Sequence, residues 1–420
     1  MVGVTVDLAP DPGEDENMCF KEFRITDRQD LGDGEMKSYD IDGHKILLRR
    51  LGDQYFAGIA FCPHLGAPLD EGAMSRERIV CPWHHAAFDV KSGELLEPPA
   101  LDSLPQFETK IDGDDVFVVL PEDVPKASQP KATAHNAAND GRTFVILGGG
   151  AAGNAAAESL RHLGFDGRLV MVSPEETRPY ARPTLTKSLL RGDAREDEIS
   201  LRPEEFYRNR DIELLMGRRA TAIDTDSHQV TLDNNQNLGY DKLLLAMGGT
   251  PRRANVPGEN TKNVHTIRNV RDALEVAWAA KDSTRVAIVG ASFLGLETAS
   301  SLRQHGIAVT VIAPEELPLK RVVGPEIARR LKRKHQEEGT TFALGETLKH
   351  ITGNGNSESV VTESGRNIDA DMVILGIGVE PASADVQGLE VENDGSIAVD
   401  DHFRVADDIY AAGDLARFPD

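Results

Sequence analysis

From Cys19 to Leu120 the chain alternates short apolar stretches with polar turns. His44–Leu48, Tyr55–Ala60 and Val116–Val119 are three of the stretches, and Gly32-Asp33-Gly34 and Asp112-Gly113-Asp114 are two of the turns. Runs of this length bounded by Gly and Asp predict strands and hairpins, so residues 18–121 read as an all-β domain. Pro121 to Asp140 is rich in Pro, Ala, Lys, Asn and Ser and has no apolar period, which makes 122–141 an expected linker. After Arg142 apolar strands alternate with amphipathic helices, as in βαβ units around a parallel sheet, an α/β region. Thr143–Gly150 and Arg285–Gly290 each run from strand to glycine and then into a helix of small residues, an internal repeat.

A chain of 420 residues is too long for one ordinary domain. Its longest apolar runs, such as Val116–Leu120 and Leu243–Met247, are too short to span a bilayer. The formal charge of −23 argues against a nucleic-acid or anionic-membrane partner. It permits a basic partner, although a well-solvated surface is the plainer meaning. Met1 to Asp15 is acidic, with neither a basic nor an apolar leader region, so a cytoplasmic location is expected. The three cysteines, Cys19, Cys62 and Cys81, allow no disulfide framework and fit a reducing compartment. Cys-x-x-Cys is absent, and with it the redox-active dithiol of disulfide reductases.

Two of those cysteines belong to a compact pattern. Cys62-Pro63-His64 is followed after sixteen residues by Cys81-Pro82-Trp83-His84. Two thiolates suit one iron and two imidazoles the other, the ligation of a Rieske [2Fe–2S] cluster by Cys62, His64, Cys81 and His84. A four-ligand zinc site is the chemical alternative, with Cys-x-His tight for the common finger spacing. His85 adjoins the ligands, but the C-x-x-H spacing favours His84. The region resembles the Rieske family, including the turn Asp89–Gly93 and the Pro98-Pro99-Ala100 loop, which in that family covers the cluster. Where respiratory Rieske proteins carry a disulfide between the loops, Ala67 and Trp83 stand here. Where they carry Ser and Tyr hydroxyls near sulfur, Ala86 and Phe88 stand. The loss of those donors implies a potential in the lower part of the Rieske range of about −150 to +300 mV, suited to accepting electrons from a flavin.

The strand Thr143–Leu147 runs into Gly148-Gly149-Gly150-Ala151-Ala152-Gly153, which fits G-x-G-x-x-G. Gly148 permits the tight turn, Gly150 lets the amides of the Ala151–Ala152 helix start approach a pyrophosphate, and Gly153 lets helix pack on strand. The next strand, Leu169–Val172, ends near Glu175, the candidate for an adenosine ribose; a solvated loop carboxylate is the other reading. The second unit reads Gly290-Ala291-Ser292-Phe293-Leu294-Gly295-Leu296-Glu297, with Ser292 at the middle glycine position. Its next strand, Val309–Ile312, ends in Ala313-Pro314-Glu315-Glu316. Glu315 or Glu316 would repel a 2′-phosphate, favouring NADH, while Arg321 keeps NADPH open.

Arg178-Pro179-Tyr180-Ala181-Arg182-Pro183-Thr184-Leu185-Thr186-Lys187 resembles a signature of the ferredoxin-reductase and apoptosis-inducing-factor branch of two-dinucleotide flavoproteins. The resemblance implies FAD, with Arg182 on the cofactor and Lys187 by the flavin N5 edge. Leu243–Gly249, with Ala246 and Gly248, resembles that family's Ala-Thr-Gly strand end. Tyr410–Asp414 resembles its Gly-Asp motif, in which the aspartate, here Asp414, binds the ribitol. Phe293 would flank the flavin and Glu297 would sit near Lys187; an ordinary core Phe and helix Glu are the bland alternatives. Leu375–Pro381, with Gly378, matches the strand end where the chain returns to the FAD domain.

The whole order is similar to apoptosis-inducing-factor-like proteins with an N-terminal Rieske domain. It implies a Rieske domain at 18–121, FAD-binding domain at 142–254 and 377–420, and an inserted NAD(H)-binding domain at 255–376. The family continues past its Gly-Asp motif with a helix and a third domain, whereas Asp420 follows six residues after Asp414. An incomplete FAD fold with an exposed or weakly held flavin is therefore expected. The implied activity is electron transfer from NADH through FAD to the cluster and on to an external acceptor such as an oxygenase, a cytochrome or a small molecule. Lys187, Glu297 and Phe293 are the candidate catalytic residues. A slow-turnover redox signalling protein and a cluster module with a defective flavin half are the competing readings.

Overall fold

The structure is a computed structural model that describes residues 19–129, 140–353, 358–383, 387–388 and 390–419, together with the backbone of 4–5. The chain divides into two compact units, Met1–Lys131 and Ala132–Asp420.

The first unit is all β. Its larger sheet is antiparallel, in the order Val4–Thr5, Phe20–Asp27, Asp115–Pro121, Gln106–Asp112, Gln54–Ile59, His44–Leu51 and Met36–Ile41. The predicted turn at Gly113 closes the hairpin in which Asp112 faces Asp115, with Gly113 at φ 59°. Alternate residues such as Ile46, Leu48, Ala57, Val116 and Val118 point into one core. A smaller sheet, Ala73–Ser75, Arg78–Val80, Ala87–Asp89 and Leu95–Glu97, carries a second core that includes Cys62, Cys81, Phe88 and Ala100.

Of the expected linker, residues 122–129 run along this unit. The Glu122 amide donates to the Cys19 carbonyl, Val124 packs on both cores, and Ser128 bridges Ser103. Its centre, 130–139, and Met18 at the start of the expected Rieske domain lie outside the described residues.

The second unit contains the repeat seen in the sequence. One sheet runs Ile212–Met216, Arg168–Ser173, Thr143–Leu147, Lys242–Leu245, Ile409–Ala411, Arg404–Ala406, with its first five strands parallel. The other runs Thr341–Leu344, Ala308–Ala313, Arg285–Val289, Met372–Leu375, Val264–His265, all parallel. In both, the strand before the glycine turn is central and the next strand lies on the same side, the order of a doubly wound nucleotide fold. Ile409–Ala411 returns to pair with Lys242–Leu245, and Gly249–Pro251 pairs with Val379–Pro381, so the second sheet is inserted between two parts of the first. No helix among the described residues is long and apolar enough to cross a membrane.

Arg161, fully buried near the end of helix Ala151–His162, ties that helix to two loops. Its guanidinium donates to the carbonyls of Phe165, Gly167, Arg210 and Asp211 at 2.6, 2.9, 2.7 and 2.7 Å. Arg161→Leu keeps the volume but strands four carbonyls, and about 3 kcal/mol of stability is expected to be lost. Urea denaturation checks this; an unchanged midpoint would show that these bonds contribute nothing net.

Candidate functional site

The four residues expected to hold the cluster sit on two loops of the same build. In the first, the Cys62 amide donates to the Ala67 carbonyl and the Gly66 amide to the Cys62 carbonyl, both at 2.9 Å. In the second, the Cys81 amide donates to Ala86 at 2.9 Å and the His85 amide to Cys81 at 3.2 Å. Gly66 and His85 occupy equivalent places and both have positive φ, 74° and 65°. Glycine takes that conformation freely and histidine does not. His85 thus serves as the left-handed turn residue of its loop, while His84 faces His64.

The residues present fit a two-iron cluster. The imidazoles of His64 and His84 meet edge to face with centroids 4.8 Å apart. Nδ1 of His64 is buried with no hydrogen-bond partner, as an atom reserved for a metal would be. Burial, and then the neighbouring His84, lower the His64 pKa, which keeps the ring neutral. Cys62 and Cys81 are both buried. Burial and the adjacent Cys81 push the Cys62 thiol up to about 11, although the backbone N–H groups of His64 and Leu65 point at its sulfur. Cys62 adjoins Cys81 and His64 adjoins His84, one like pair for each of two irons. Ala100 of the Pro98-Pro99-Ala100 loop packs in the same core as both cysteines. Leu65 and Trp83, beside the two histidines, are 62% and 52% exposed.

The first glycine turn belongs to the second unit. Gly148 has φ 124°, and a Cβ there would lie 2.1 Å from the Ala246 carbonyl oxygen. A Cβ on Gly153 would lie 2.0 Å from the Gly148 oxygen. Helix Ala151–His162 starts on Gly150 without a capping side chain, and a Cβ on Gly150 would meet nothing within 4 Å. Free amides therefore face open space, the arrangement a pyrophosphate needs.

Charged groups converge beside this turn. Glu175 accepts from the Tyr180 hydroxyl at 2.5 Å and from Arg182 at 2.8 Å. Arg182 also donates to the Arg268 carbonyl. Arg268 pairs with Asp414 at 3.5 Å and approaches Gly248, where a Cβ would lie 3.0 Å from its guanidinium. Gly413 lies against Ala152. The structure thus links Glu175, Arg182, Gly248 and Asp414 through Arg268 beside the Gly148–Ala246 contact, and Glu175 is an ion-paired group and not a free loop carboxylate. Arg268 and Tyr180 are the participants that motif reading missed. Burial and then the Arg182 charge lower the Arg268 pKa; two guanidinium groups this close suit a dianionic ligand.

Lys187 pairs with Glu297 at 2.7 Å, although the two are far apart in sequence. Thr186 Oγ1 donates to the same carboxylate at 2.7 Å, and Ser301 Oγ donates to the Thr186 carbonyl at 2.6 Å. These bonds fasten the 3-10 turn Arg182–Thr186 to helix Phe293–Gln304. Phe293, first in that helix, is 54% exposed, so the core alternative does not hold for it.

The second turn repeats the first. Gly290 has φ 116° with the Gly376 oxygen 2.3 Å from where its Cβ would stand, and a Cβ on Gly295 would lie 2.1 Å from the Gly290 oxygen. Leu294 packs against Gly376, and Gly378, at φ 98°, accepts from the Arg252 amide at 3.0 Å. Ala313 is buried at the strand end, while Glu315 and Glu316 are exposed beyond it and Glu316 pairs with Lys320 at 3.5 Å.

Residues 142–420 match the family described as pyridine nucleotide-disulphide oxidoreductase, and residues 21–108 match the Rieske [2Fe–2S] domain. Apoptosis-inducing factor 3 of Homo sapiens is 33% identical over 98% of this chain and 69% of its own length. Rhodocoxin reductase of Rhodococcus erythropolis is 36% identical over 66% of this chain and 65% of its own. Among solved structures, the covalent putidaredoxin reductase–putidaredoxin complex aligns with TM-score 0.61 at 31% identity, covering 66% of this chain and 68% of that one. A ferredoxin reductase from Rhodopseudomonas palustris aligns with TM-score 0.63 at 31% identity, covering 66% and 69%.

Replacing Cys62 or Cys81 by serine is expected to abolish the visible absorption of a [2Fe–2S] cluster. Iron and acid-labile sulfide should fall together from about two each per chain. Elemental analysis checks the assignment; stoichiometric zinc with no sulfide would overturn it.

Proposed function

The chain belongs to the pyridine nucleotide-disulphide oxidoreductase family and carries a Rieske domain ahead of it, and from that we propose that it is an NADH-dependent reductase. Its electrons pass by way of FAD to the cluster on Cys62, His64, Cys81 and His84, and on to an external acceptor. The division into a Rieske domain (18–121), linker (122–141), FAD domain (142–254 and 377–420) and NAD(H) domain (255–376) is part of the same reading.

The ion pair between Lys187 and Glu297 at 2.7 Å carries it. It joins the run beside the first turn to the helix that starts at the second, so one cation is held where two dinucleotides would meet. FAD, when bound, takes two electrons as a hydride and gives them up singly, which a one-electron cluster requires. The chain's residues bind and orient. Gly150, Ala151 and Ala152 offer amides to the FAD pyrophosphate, Arg182 and Arg268 offset its charge, and Asp414 accepts from the ribitol. Glu175, braced by Tyr180 and Arg182, faces the adenosine side. Ser292, Phe293 and Leu294 start the nicotinamide-binding helix, with Gly378 at the crossing back. Glu315 lies beyond the adenosine strand and favours NADH over NADPH. Lys187 favours negative charge next to it, while Glu297 fixes its position.

The proposal gives the electrons to the Rieske cluster, whose expected ligands include two of the three cysteines in this sequence. The nature of the acceptor belongs to the proposal only as a class, an electron-accepting protein or small molecule. A slow-turnover signalling role is a second reading, favoured because the similarity to apoptosis-inducing factor 3 extends over the Rieske unit as well.

Anaerobic addition of one equivalent of NADH, followed by absorption and low-temperature EPR, tests the route. Flavin bleaching with a Rieske signal is expected; a cluster that dithionite reduces and NADH does not would sink it. Lys187→Met should slow flavin bleaching by at least about tenfold with FAD retained. Stopped-flow absorbance checks this, and an unchanged rate would remove Lys187 from the chemistry.

A further inference from the structure

The two glycine turns make matching backbone hydrogen bonds, and of the side chains that differ between them one reaches into those bonds. At the first, the Gly148 amide donates to Val172 and the Ala246 amide to Leu147, both at 2.8 Å. At the second, the Gly290 amide donates to Ile312 at 2.8 Å and the Gly376 amide to Val289 at 2.7 Å. The carbonyls of Ala246 and Gly376 therefore stand in the same place behind their turns. Ser292 stands at the position of Gly150.

The Ser292 hydroxyl donates to the Gly376 carbonyl at 3.0 Å and accepts from the Gly295 amide at 3.2 Å. At the first turn the counterparts are the Ala246 carbonyl and the Gly153 amide. Gly150 has no side chain to join them, and the space around its Cβ position is open to 4 Å. A donor and an acceptor left so at a polar, open turn are bridged by water.

A water and a hydroxyl are not equivalent in that place. Both accept the amide proton and give one proton to the carbonyl. Water keeps a second proton for a pyrophosphate oxygen; the serine hydroxyl has only the one. Resting on the reading of this turn as the nicotinamide dinucleotide site, we infer that the Ser292 hydroxyl replaces a bridging water and withholds one hydrogen-bond donor from the dinucleotide pyrophosphate. The second site is thereby weaker and faster to exchange than the first. That suits a co-substrate that must leave after each turnover beside a cofactor that must stay.

Holo-protein variants Ser292→Gly and Ser292→Ala test the inference with NAD⁺ as an unreactive probe, titrated by calorimetry. Glycine admits the water and should tighten NAD⁺ binding by about tenfold, the effect of one added hydrogen bond to a charged group. Alanine excludes the water without replacing its bonds and should bind more weakly than the wild type. Crystals of Ser292→Gly without nucleotide should show an ordered water within hydrogen-bond distance of both the Gly295 amide and the Gly376 carbonyl. A folded glycine variant that binds no tighter than the wild type, or one whose turn closes without the water, overturns the inference. If the wild type binds no NAD⁺, the nicotinamide reading of the site fails, and the crystal water still decides the role of the hydroxyl.

Discussion

At both ends of the internal repeat a helix begins in contact with the strand that feeds it. A Cβ on Gly153 would lie 2.0 Å from the Gly148 oxygen and one on Gly295 2.1 Å from the Gly290 oxygen. No side chain fits in those places, so glycine fixes how deeply each helix sinks towards its sheet. Because the packing is that close, the first-turn amides come to the carboxyl edge of a parallel sheet, where loops from other strands can meet them. Asp414 and Ala246 arrive at one such edge and Gly376 and Gly378 at the other. The Arg182–Thr186 turn is fastened to helix Phe293–Gln304 by Thr186 to Glu297 and Ser301 to Thr186.

Features that depend on a few consecutive residues were readable in the sequence. The two metal loops are local: each closes on its own backbone bonds, Cys62 with Ala67 and Cys81 with Ala86. Candidate ligands could therefore be named from spacing. The glycine turns are local in the same sense, whereas the Lys187–Glu297 pair was expected only from the family resemblance. Arg268 was not readable. It precedes helix Val270–Ala280 in a stretch with no motif, and it matters only because three distant segments converge on it. The substitution of Ser292 for glycine was visible, but not that its hydroxyl turns inward to Gly376. The beginning of the expected linker looked free because its polar composition conceals the single apolar anchor, Val124, and the bridge at Ser128.

Both kinds of site carry an electrostatic arrangement that makes sense only with a ligand of opposite character. Beside the first turn, burial and then the Arg182 charge depress the Arg268 pKa, with Glu175 and Asp414 as partial compensation. A pyrophosphate supplies the anion that this pair of guanidiniums suits. In the Rieske unit the signs are reversed. Cys62 and Cys81 are buried side by side, and burial disfavours the thiolates, raising the Cys62 thiol to about 11. Ferric ions would supply the positive charge that ionises both sulfurs, and the buried Nδ1 of His64, which has no hydrogen-bond partner, would add a neutral donor. Thiolates on one side and neutral imidazoles on the other leave the oxidised cluster near electrical neutrality, so taking up an electron creates a single negative charge near the protein surface beside the exposed Leu65 and Trp83. Such a one-electron centre is the chemical reason for the proposal that the Rieske unit takes electrons singly from the flavoprotein half.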